Sequence, residues 1–217
     1  MKYTNSNASL RRAGAIMGGL AALGLLQVNG ANLLTNGDFE TTTIASTGSG
    51  EFYNEAEIVA LVPSFGWTTS GTVGLFNTAS GYDAMESAQT LFMPNKGSGI
   101  SQTVAVTPGV SYTLSWLSAN LIEGLNYSYD LKVENGGIIL GNSYSDTNGT
   151  GAPRAESEVF VAPVGGVVKV TFTRTGLPSN WLALDDIQLQ AIPEPSTYAL
   201  LAGLGLIGFA GYRRYRG

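Results

Sequence analysis

Hydrophobic and polar residues alternate in short runs through the middle of the chain, which is 217 residues long. The run ISQTVAV at 100–106 places apolar side chains at every second position except at Gln102, and the runs VSYTLSWLSA at 110–119 and VVKVTFTR at 167–174 place apolar or aromatic side chains at every second position. A period of two is typical of β-strands with one buried face. This alternation predicts that four aromatic side chains face the core: Tyr112, Trp116, Tyr129 and Phe172.

Turn-forming residues separate these runs. Pro108-Gly109 follows the first run, and Asn135-Gly136-Gly137 joins the segments YSYDLKVE and GIILGNSYS. Glycine tolerates the positive φ that a tight hairpin requires. The sequence between the two ends of the chain shows no helical period of useful length. The middle of the chain therefore predicts an all-β domain, either a sandwich or a jelly roll.

Charge and composition narrow the functional classes. Six of the 11 basic residues and one of the 16 acidic residues lie in the two ends, which leaves 5 basic and 15 acidic residues, a net charge of −10, in residues 31–192. Such a surface repels phosphate backbones and argues against nucleic acid as a partner. The chain has no histidine and no cysteine, which removes the usual general base and the common nucleophile systems. A pair of carboxylates of the glycoside hydrolase kind is the catalytic scheme that remains.

Residues 1–30 have the features of a signal peptide. Arg11-Arg12 is followed by the apolar stretch Ala13–Leu26 and then by small residues suited to signal peptidase. This stretch of 14 residues is shorter than the ~20 residues that a membrane-spanning helix needs. We therefore expect export, with cleavage by signal peptidase after Gly30 or Ala31.

The chain ends in a proline-flanked motif, a short apolar segment and a basic terminus. The motif Pro193-Glu194-Pro195 predicts an extended linker, and Tyr198–Tyr212 is uncharged but contains four glycines. Positive charge after an apolar segment favours an orientation in which that end stays in the cytoplasm. The basic residues are Arg213, Arg214 and Arg216.

These three parts, in this order over residues 191–217, resemble the PEP-CTERM sorting signal. The resemblance implies a protein of a Gram-negative bacterium whose C-terminal helix holds it transiently in the inner membrane. It also implies cleavage near the proline motif by an exosortase-type membrane protease and release to the cell surface or extracellular matrix. The alternative is a simple C-terminal membrane anchor.

Several segments of residues 31–190 carry a second resemblance. They are NLLTNGDFE, FGWTTSG, YDAMESAQTLFM, GISQTVAVTPGVSYTLSW and LALDDIQL. In this order they resemble the galactose-binding-like jelly rolls, the fold of many secreted carbohydrate-binding modules. We thus expect a jelly-roll β-sandwich, flanked by an N-terminal signal peptide and a short C-terminal hydrophobic sorting helix.

The jelly-roll resemblance also implies a structural calcium ion that ties the first strand to the last. Its carboxylate ligands in this sequence are Glu40, Glu86 and Asp186, with the backbone carbonyl of Asp38 as a fourth ligand. Calcium prefers several hard oxygen ligands, which carboxylates and carbonyls supply. Asp185 and Asp186 point to opposite faces of a strand, so at most one of them faces such a site. The alternative is that these acids are solvated surface groups.

Carbohydrate-binding modules of this kind stack aromatic rings on sugars and surround them with amides and carboxylates. Tyr82, Tyr127 and Tyr144 lie beside predicted loops or at strand ends, and each is a candidate for such a platform. Filling a turn is the alternative role for each. We expect a non-catalytic surface or matrix protein that binds carbohydrate or exopolysaccharide. A structural matrix component without a specific ligand and a carboxylate-based glycoside hydrolase are the alternatives.

Overall fold

A computed structural model gives the fold of the chain and describes residues 30–41, 51–53, 65–77, 89–120, 126–146, 152–176, 181–193 and 195–216. Within these residues the strands are β1 Glu51–Tyr53, β2 Thr68–Ser70, β3 Val73–Asn77, β4 Gln89–Met93, β5 Gly99–Ala105, β6 Ser111–Asn120, β7 Tyr127–Glu134, β8 Ile138–Asp146, β9 Arg154–Val161, β10 Val167–Arg174 and β11 Leu182–Ala191. A C-terminal helix, α1, spans Pro195–Arg216. The predicted signal peptide, residues 1–30, lies outside the described residues except for Gly30, and Glu194 of the sorting motif also lies outside them.

The strands form two sheets that enclose a common core. One sheet has six strands in the order β1-β3-β4-β11-β6-β9, and the other has five in the order β2-β5-β10-β7-β8. Each pairing in the described part of the sheets is antiparallel. The predicted all-β jelly-roll sandwich is confirmed.

The core is built from the alternating side chains that the sequence predicts. Tyr112 and Trp116 of β6, Tyr129 of β7 and Phe172 of β10 are all buried. Trp116 meets Phe172 edge-on, with ring centroids 5.4 Å apart, and its Nε1 donates a 2.7 Å hydrogen bond to the Tyr129 hydroxyl. The prediction that these four aromatic side chains face the core is therefore confirmed.

Glycines occupy the two predicted turns. Gly109, between β5 and β6, has a φ of +78°, and Gly136, between β7 and β8, has a φ of +65°. The Asn135 N–H donates to the Gly137 carbonyl at 3.0 Å and closes the second turn. Both turns are where the sequence predicts them.

Strand β11 is irregular at its centre. Its register against β6 shifts between Asp185 and Gln188, and Asp186 has a φ of +46°. The N–H of Ile187, inside this bulge, donates to the Gly37 carbonyl at 2.9 Å. The bulge therefore binds β11 to the N-terminal segment of the domain.

The C-terminal tail differs from the predicted linker. Pro195 is the first residue of α1, because proline has a helix-compatible φ and no N–H that the first turn would need to satisfy. Three exposed arginines end the helix: Arg213, Arg214 and Arg216. The resemblance to the sorting signal implies that this helix is held transiently in the inner membrane. In the described part of the chain, no helix has the length and apolarity to cross a bilayer.

Candidate functional site

The segment NLLTNGDFE lies along the bulged part of β11. Asn32 makes three hydrogen bonds there: its Oδ1 accepts from the N–H groups of Leu34 and Leu189, at 3.0 and 2.8 Å, and its Nδ2 donates to the Ile187 carbonyl at 3.0 Å. Gly37 follows five residues later, and its carbonyl accepts from the Ile187 N–H. The motif therefore joins the start of the domain to its last strand.

The same segment is also held from the side of β5. The Gln102 side chain accepts from the Thr35 N–H at 2.8 Å and donates to the carbonyls of Thr35 and Gly66 at 3.0 and 2.9 Å. The indole of Trp67 donates to the Asn36 carbonyl at 3.0 Å. Gln102 is nearly buried, and these bonds satisfy its amide in the interior.

A pocket of about 320 Å³ opens where this segment meets β11. Its lining residues are Asn32, Leu34, Asn36, Gly37, Asp38, Asp186 and Gln188. Asp38 is exposed, and its Oδ1 accepts from the Glu40 N–H at 3.3 Å. The Asp186 carboxylate accepts from the Gln188 side chain at 2.6 Å. Two of the predicted calcium ligands thus line one pocket.

Glu40 lies elsewhere, against the beginning of β4. Its Oε1 accepts from the Gln89 N–H at 2.5 Å. The next residue, Thr90, donates its hydroxyl to the Asp185 carboxylate at 3.2 Å, and Asp185 is fully buried. Two carboxylates therefore flank the first two residues of β4, and the one from β11 belongs to Asp185 rather than Asp186.

The described donors match a calcium site only in part. Glu86 lies outside the described residues, and the other predicted ligands are divided between the pocket and β4. Calcium takes roughly six to eight oxygens. Within the described ranges, no group of three or more His, Cys, Asp or Glu side chains is placed to hold a metal ion. Calcium binding at this junction remains a prediction.

A second polar site lies where the two sheets end. β8 is the last strand of the five-stranded sheet, and β9 is the last strand of the six-stranded sheet. Tyr144 of β8 pairs with the core residue Tyr129, and Glu156 of β9 pairs with the core residue Trp116, so both point to the inner side of their sheets. We define the edge cluster as the six inward residues Asn142, Tyr144, Asp146, Arg154, Glu156 and Glu158.

Hydrogen bonds join the two strands through Glu158. Its Oε1 accepts from the Tyr144 hydroxyl at 2.5 Å and from the Asn142 side chain at 2.6 Å. On the same strand, Arg154 forms an ion pair of 2.6 Å with Glu156. The Arg154 side chain is 55% exposed and that of Glu156 is 16% exposed, so the cluster reaches from solvent into the sandwich.

Aromatic rings form the inner wall of the edge cluster. Tyr144 stacks on Tyr129, with ring centroids 5.1 Å apart, and meets the edge of Trp116 at 5.2 Å. Burial, followed by the hydrogen bond to Glu158, raises the pKa of Tyr144 above its ordinary value. Its hydroxyl therefore stays protonated at neutral pH and donates to the carboxylate.

The charges of the cluster also reach Tyr127. Burial raises the pKa of Tyr127, the Ser118 hydroxyl lowers it, and the charges of Asp146, Arg154 and Glu156 act on it in the directions expected from their signs. The Ser118 and Tyr127 hydroxyls are 3.0 Å apart. Side chains from four strands, β6 to β9, thus meet at one open side of the sandwich.

The three tyrosines proposed as sugar platforms have different positions. Tyr127 is 4% exposed and stacks on Tyr129, so the structure contradicts a role for it as an exposed platform. Tyr144 is half-buried within β8 rather than in a loop. Tyr82 lies outside the described residues. Tyr144 lies beside the Glu158 carboxylate and the Asn142 amide.

The outer face of the five-stranded sheet has a different chemistry. Its exposed residues include Thr103, Lys132, Lys169 and Ser143, and Ser143 donates to Asp130 at 2.7 Å. Among the described residues of this sheet no outward side chain is aromatic, since Tyr127, Tyr129, Tyr144 and Phe172 all lie on the inner face. The aromatic ring surface of the described part of this sheet therefore lies on its inner side.

The sequence does not predict that Asn142, Glu156 and Glu158 belong to a polar cluster. A signal was present in the segment RAESEVFV, in which Glu156 and Glu158 alternate in step with the buried Phe160. Two acidic residues on the same face as a core aromatic indicate a strand whose inner face is partly open to solvent.

Comparison with known proteins identifies the tail. Residues 191–214 match the PEP-CTERM protein-sorting motif. The chain therefore carries this sorting motif after its β-sandwich domain, and such a motif implies export and membrane-associated sorting. A comparison with curated protein sequences gives no significant match.

Solved structures share the fold of the domain. TmCBM61 in complex with β-1,4-galactotriose is 21% identical, with a TM-score of 0.52 over 74% of this chain and 99% of that chain. The Stig cyclase Fisc from Fischerella sp. TAU, in complex with (3Z)-3-(1-methyl-2-pyrrolidinylidene)-3H-indole, is 15% identical, with a TM-score of 0.52 over 76% and 98%. An arabinose-bound α-L-arabinofuranosidase, MgGH51, is 12% identical, with a TM-score of 0.51 over 76% of this chain and 27% of that chain. These likenesses show a common fold.

Proposed function

We propose that the protein is an exported cell-surface or extracellular-matrix protein that binds carbohydrate and does not catalyse a reaction. The sorting motif supports export, and the sandwich fold is one that a galactotriose-bound module also has. The observation that carries the proposal is the edge cluster, in which a tyrosine, an amide and carboxylates surround aromatic rings. Fold likeness by itself does not establish this function.

The chemistry of the edge cluster suits sugar hydroxyl groups. Glu158 already accepts two hydrogen bonds, which fix its orientation, and a carboxylate has further acceptor capacity for hydroxyl donors. A small number of fixed polar groups beside apolar ring surface is the usual composition of a small-molecule site. A sugar bound at the junction of β8 and β9 would meet both kinds of group.

Processing of the tail is part of the proposal. We infer that an exosortase-type membrane protease cleaves near the Pro193-Glu194-Pro195 motif and releases the sandwich domain to the surface. The match to the sorting motif and the arginines at the end of α1 support this order of events.

A glycan array followed by calorimetry tests the carbohydrate proposal. We expect the purified protein to bind at least one oligosaccharide, and Tyr144→Phe and Glu158→Gln to weaken that binding by roughly tenfold or more, because each removes a hydrogen bond to a charged group. Ser143→Ala is the matched control, since Ser143 lies next to Tyr144 but on the outer face of β8.

An array on which no glycan binds would contradict the proposal and favour the structural matrix component. Binding that both edge variants leave unchanged would place the sugar site elsewhere in the protein. Release of reducing sugar from a bound glycan would instead favour the glycoside hydrolase alternative.

A further inference from the structure

We propose that one end of the sandwich, here called the apolar end, rests on the surface of a lipid bilayer while the C-terminal tail holds the unprocessed chain there. The apolar end consists of three turns, at residues 107–110, 135–138 and 162–167. This inference rests on the membrane-associated sorting that the tail motif implies, and it is independent of carbohydrate binding.

The three turns lie together at one end of the sandwich. The Gly109 N–H donates to the Ala162 carbonyl at 3.0 Å, and the Ala162 N–H donates to the Val110 carbonyl at 2.8 Å. A Cβ atom placed on Gly165 would lie 2.5 Å from the side-chain nitrogen of Asn135, so the third turn also contacts the second. These contacts join the three turns into one surface.

Exposed hydrophobic side chains are concentrated at this end. In the described part of the domain, the exposed large hydrophobic residues are Leu33, Ile138, Val159, Val161, Val164, Val167 and Ile192. Three of them belong to the apolar end. Val161 and Ile192 adjoin it, because one pairs with Ser111, which follows the first turn, and the other donates its N–H to the Ser111 carbonyl. Contiguous apolar surface of this kind marks contact with a protein or a membrane.

Val164 occupies the tip of the third turn. The Gly166 N–H donates to the Pro163 carbonyl at 3.0 Å, which closes a four-residue turn with Val164 and Gly165 at its centre. Val164 is 94% exposed. Glycine, proline, asparagine, aspartate and serine dominate such turns, so the turn itself does not require valine. Exposure of valine to water is unfavourable, and contact with the acyl chains of lipid would remove it.

The charge of the apolar end differs from that of the whole domain. None of the residues in its three turns is charged, whereas residues 31–192 have a net charge of −10. Anionic lipid headgroups repel an acidic surface. The apolar end can approach a bilayer without that repulsion.

The tail leaves the domain at the same end. β11 ends at Ala191, and the Ile192 N–H donates to the Ser111 carbonyl at 2.8 Å. Helix α1 begins at Pro195, so only residues 193 and 194 lie between that hydrogen bond and the helix. Three residues of extended chain reach at most about 11 Å. A membrane-associated α1 therefore brings the apolar end, rather than the opposite end of the sandwich, close to the bilayer.

The tail also explains why a few apolar side chains suffice. A patch this small would bind a vesicle weakly on its own, because association costs translational and rotational freedom. A tether that already holds the domain at the bilayer removes most of that cost. The contact is therefore expected in the chain that retains its tail, and it would keep the motif at 193–195 at the membrane surface until the proposed cleavage.

Fluorescence of the full chain on neutral phosphatidylcholine vesicles tests the inference, because the chain has no cysteine and accepts a single label. Gly137→Cys places the label in the apolar end, where a Cβ atom meets nothing within 4 Å. Lys96→Cys places it on the exposed turn between β4 and β5, at the opposite end of β5. We expect lipids with a nitroxide at the headgroup to quench the first label severalfold more strongly than the second.

Substitutions at two exposed valines separate an apolar contact from a general effect of charge. In the Gly137→Cys chain, Val164→Asp should reduce quenching to the level at Lys96, because a carboxylate at the tip would lose its hydration. Since Val164 is 94% exposed, this change leaves the fold intact. Val159→Asp adds the same charge at a valine that is 58% exposed outside the apolar end, and quenching should stay unchanged. Quenching should also be insensitive to ionic strength.

Equal quenching of the two labels would overturn the inference, as would an equal loss with Val159→Asp and Val164→Asp. Self-quenching of the Gly137→Cys label without quenching by lipid would show that the apolar end binds a second copy of the chain instead. A chain that does not float with vesicles would contradict the membrane association on which the inference rests. A chain that binds no glycan contradicts the proposed carbohydrate binding alone and leaves the membrane contact in place.

Discussion

Gly37 shows how a single position fixes the connection between the two ends of the domain. A Cβ atom placed on Gly37 would lie 1.9 Å from the Ile187 carbonyl oxygen, which is far inside van der Waals contact. The close approach allows the Gly37 carbonyl to accept the hydrogen bond from the Ile187 N–H. Glycine is therefore required here by packing against β11.

Gly37→Ala is expected to destabilise the domain by about 2–3 kcal/mol, because the added methyl group forces the N-terminal segment away from β11. Gly137→Ala is the matched control, since a Cβ there meets nothing within 4 Å and Gly137 does not have a positive φ. Urea unfolding of both variants provides the measurement. Equal stability of the two would show that the segment does not contribute to the fold in solution.

Two inward-facing tyrosines, Tyr129 and Tyr144, are expected to make the folded domain less stable at alkaline pH. Burial raises the pKa of Tyr129 and Tyr144 above the ordinary value of about 10. Below that pH both phenols are neutral in the folded and unfolded chains. Above it the unfolded chain loses its protons first, so the free energy of unfolding falls as pH rises, by about 1.4 kcal/mol per pH unit for Tyr129.

Urea unfolding above pH 10 should therefore show a steep loss of stability, and Tyr129→Phe should lower that slope although it also removes the acceptor for Trp116. Tyrosinate absorbance of the folded protein, measured over the same range, reports the titration directly. If all tyrosines titrated near pH 10 in the folded protein, the buried positions of these rings would be contradicted.

Among the elements, strands with one fully buried face are the ones that the sequence predicts. β5, β6, β7, β10 and β11 alternate with buried apolar side chains, and the turns that follow β5 and β7 contain Gly109 and Gly136 at positive φ. One face of each of these strands packs against the core along much of its length, so the period of two in the sequence identifies the strand.

β9 could not be predicted in this way because it is the outermost strand of its sheet. Its valines, Val159 and Val161, are 58% and 57% exposed, whereas Glu156 and Glu158 point inward. The hydrophobic positions of β9 would therefore predict that its solvent-facing side is the buried one.

The edge cluster was only partly predictable for the same reason. The polar, turn-rich segment GNSYSDTNGTG predicts Tyr144 as a candidate. Its partners, however, come from β9, which is separated from β8 by residues 147–153. The sequence does not predict the burial of Tyr127, because a tyrosine at the start of a strand and beside a predicted loop is expected at the surface, whereas here it stacks in the core. Contacts between the outermost strands depend on how two sheets pack, and a local pattern does not contain that information.

At the scale of the whole molecule, the domain is closed without covalent links. The chain has no cysteine, so the N-terminal segment is held to β11 and β5 by side-chain hydrogen bonds from Asn32 and Gln102. Individual hydrogen bonds contribute roughly 1 kcal/mol each. Any ligand that bridges the first and last parts of the domain would therefore add appreciably to its stability.

Calcium is such a ligand, and the arrangement of carboxylates indicates which acid to test. Glu40 and Asp185 flank the first residues of β4, while Asp38 and Asp186 line the neighbouring pocket. The Asp185 carboxylate is fully buried, and it accepts from the Thr90 hydroxyl at 3.2 Å and from the Asp186 N–H at 2.8 Å. Because Glu40 and Asp185 both contact the first two residues of β4, we propose them as the acids that a calcium ion at this junction would contact.

Melting curves in excess calcium and in chelator, at equal ionic strength, test this proposal. A site filled at about a hundred times its dissociation constant adds about 2.7 kcal/mol to the free energy of unfolding, which raises the Tm of a domain of this size by several degrees. We expect Asp185→Asn to abolish the difference between the two curves, and Asp130→Asn to preserve it. If Asp186→Asn abolishes it and Asp185→Asn does not, the ion lies in the pocket instead. Curves that overlay for the unmodified chain would show that these acids hold no calcium and that hydrogen bonds alone close the sandwich.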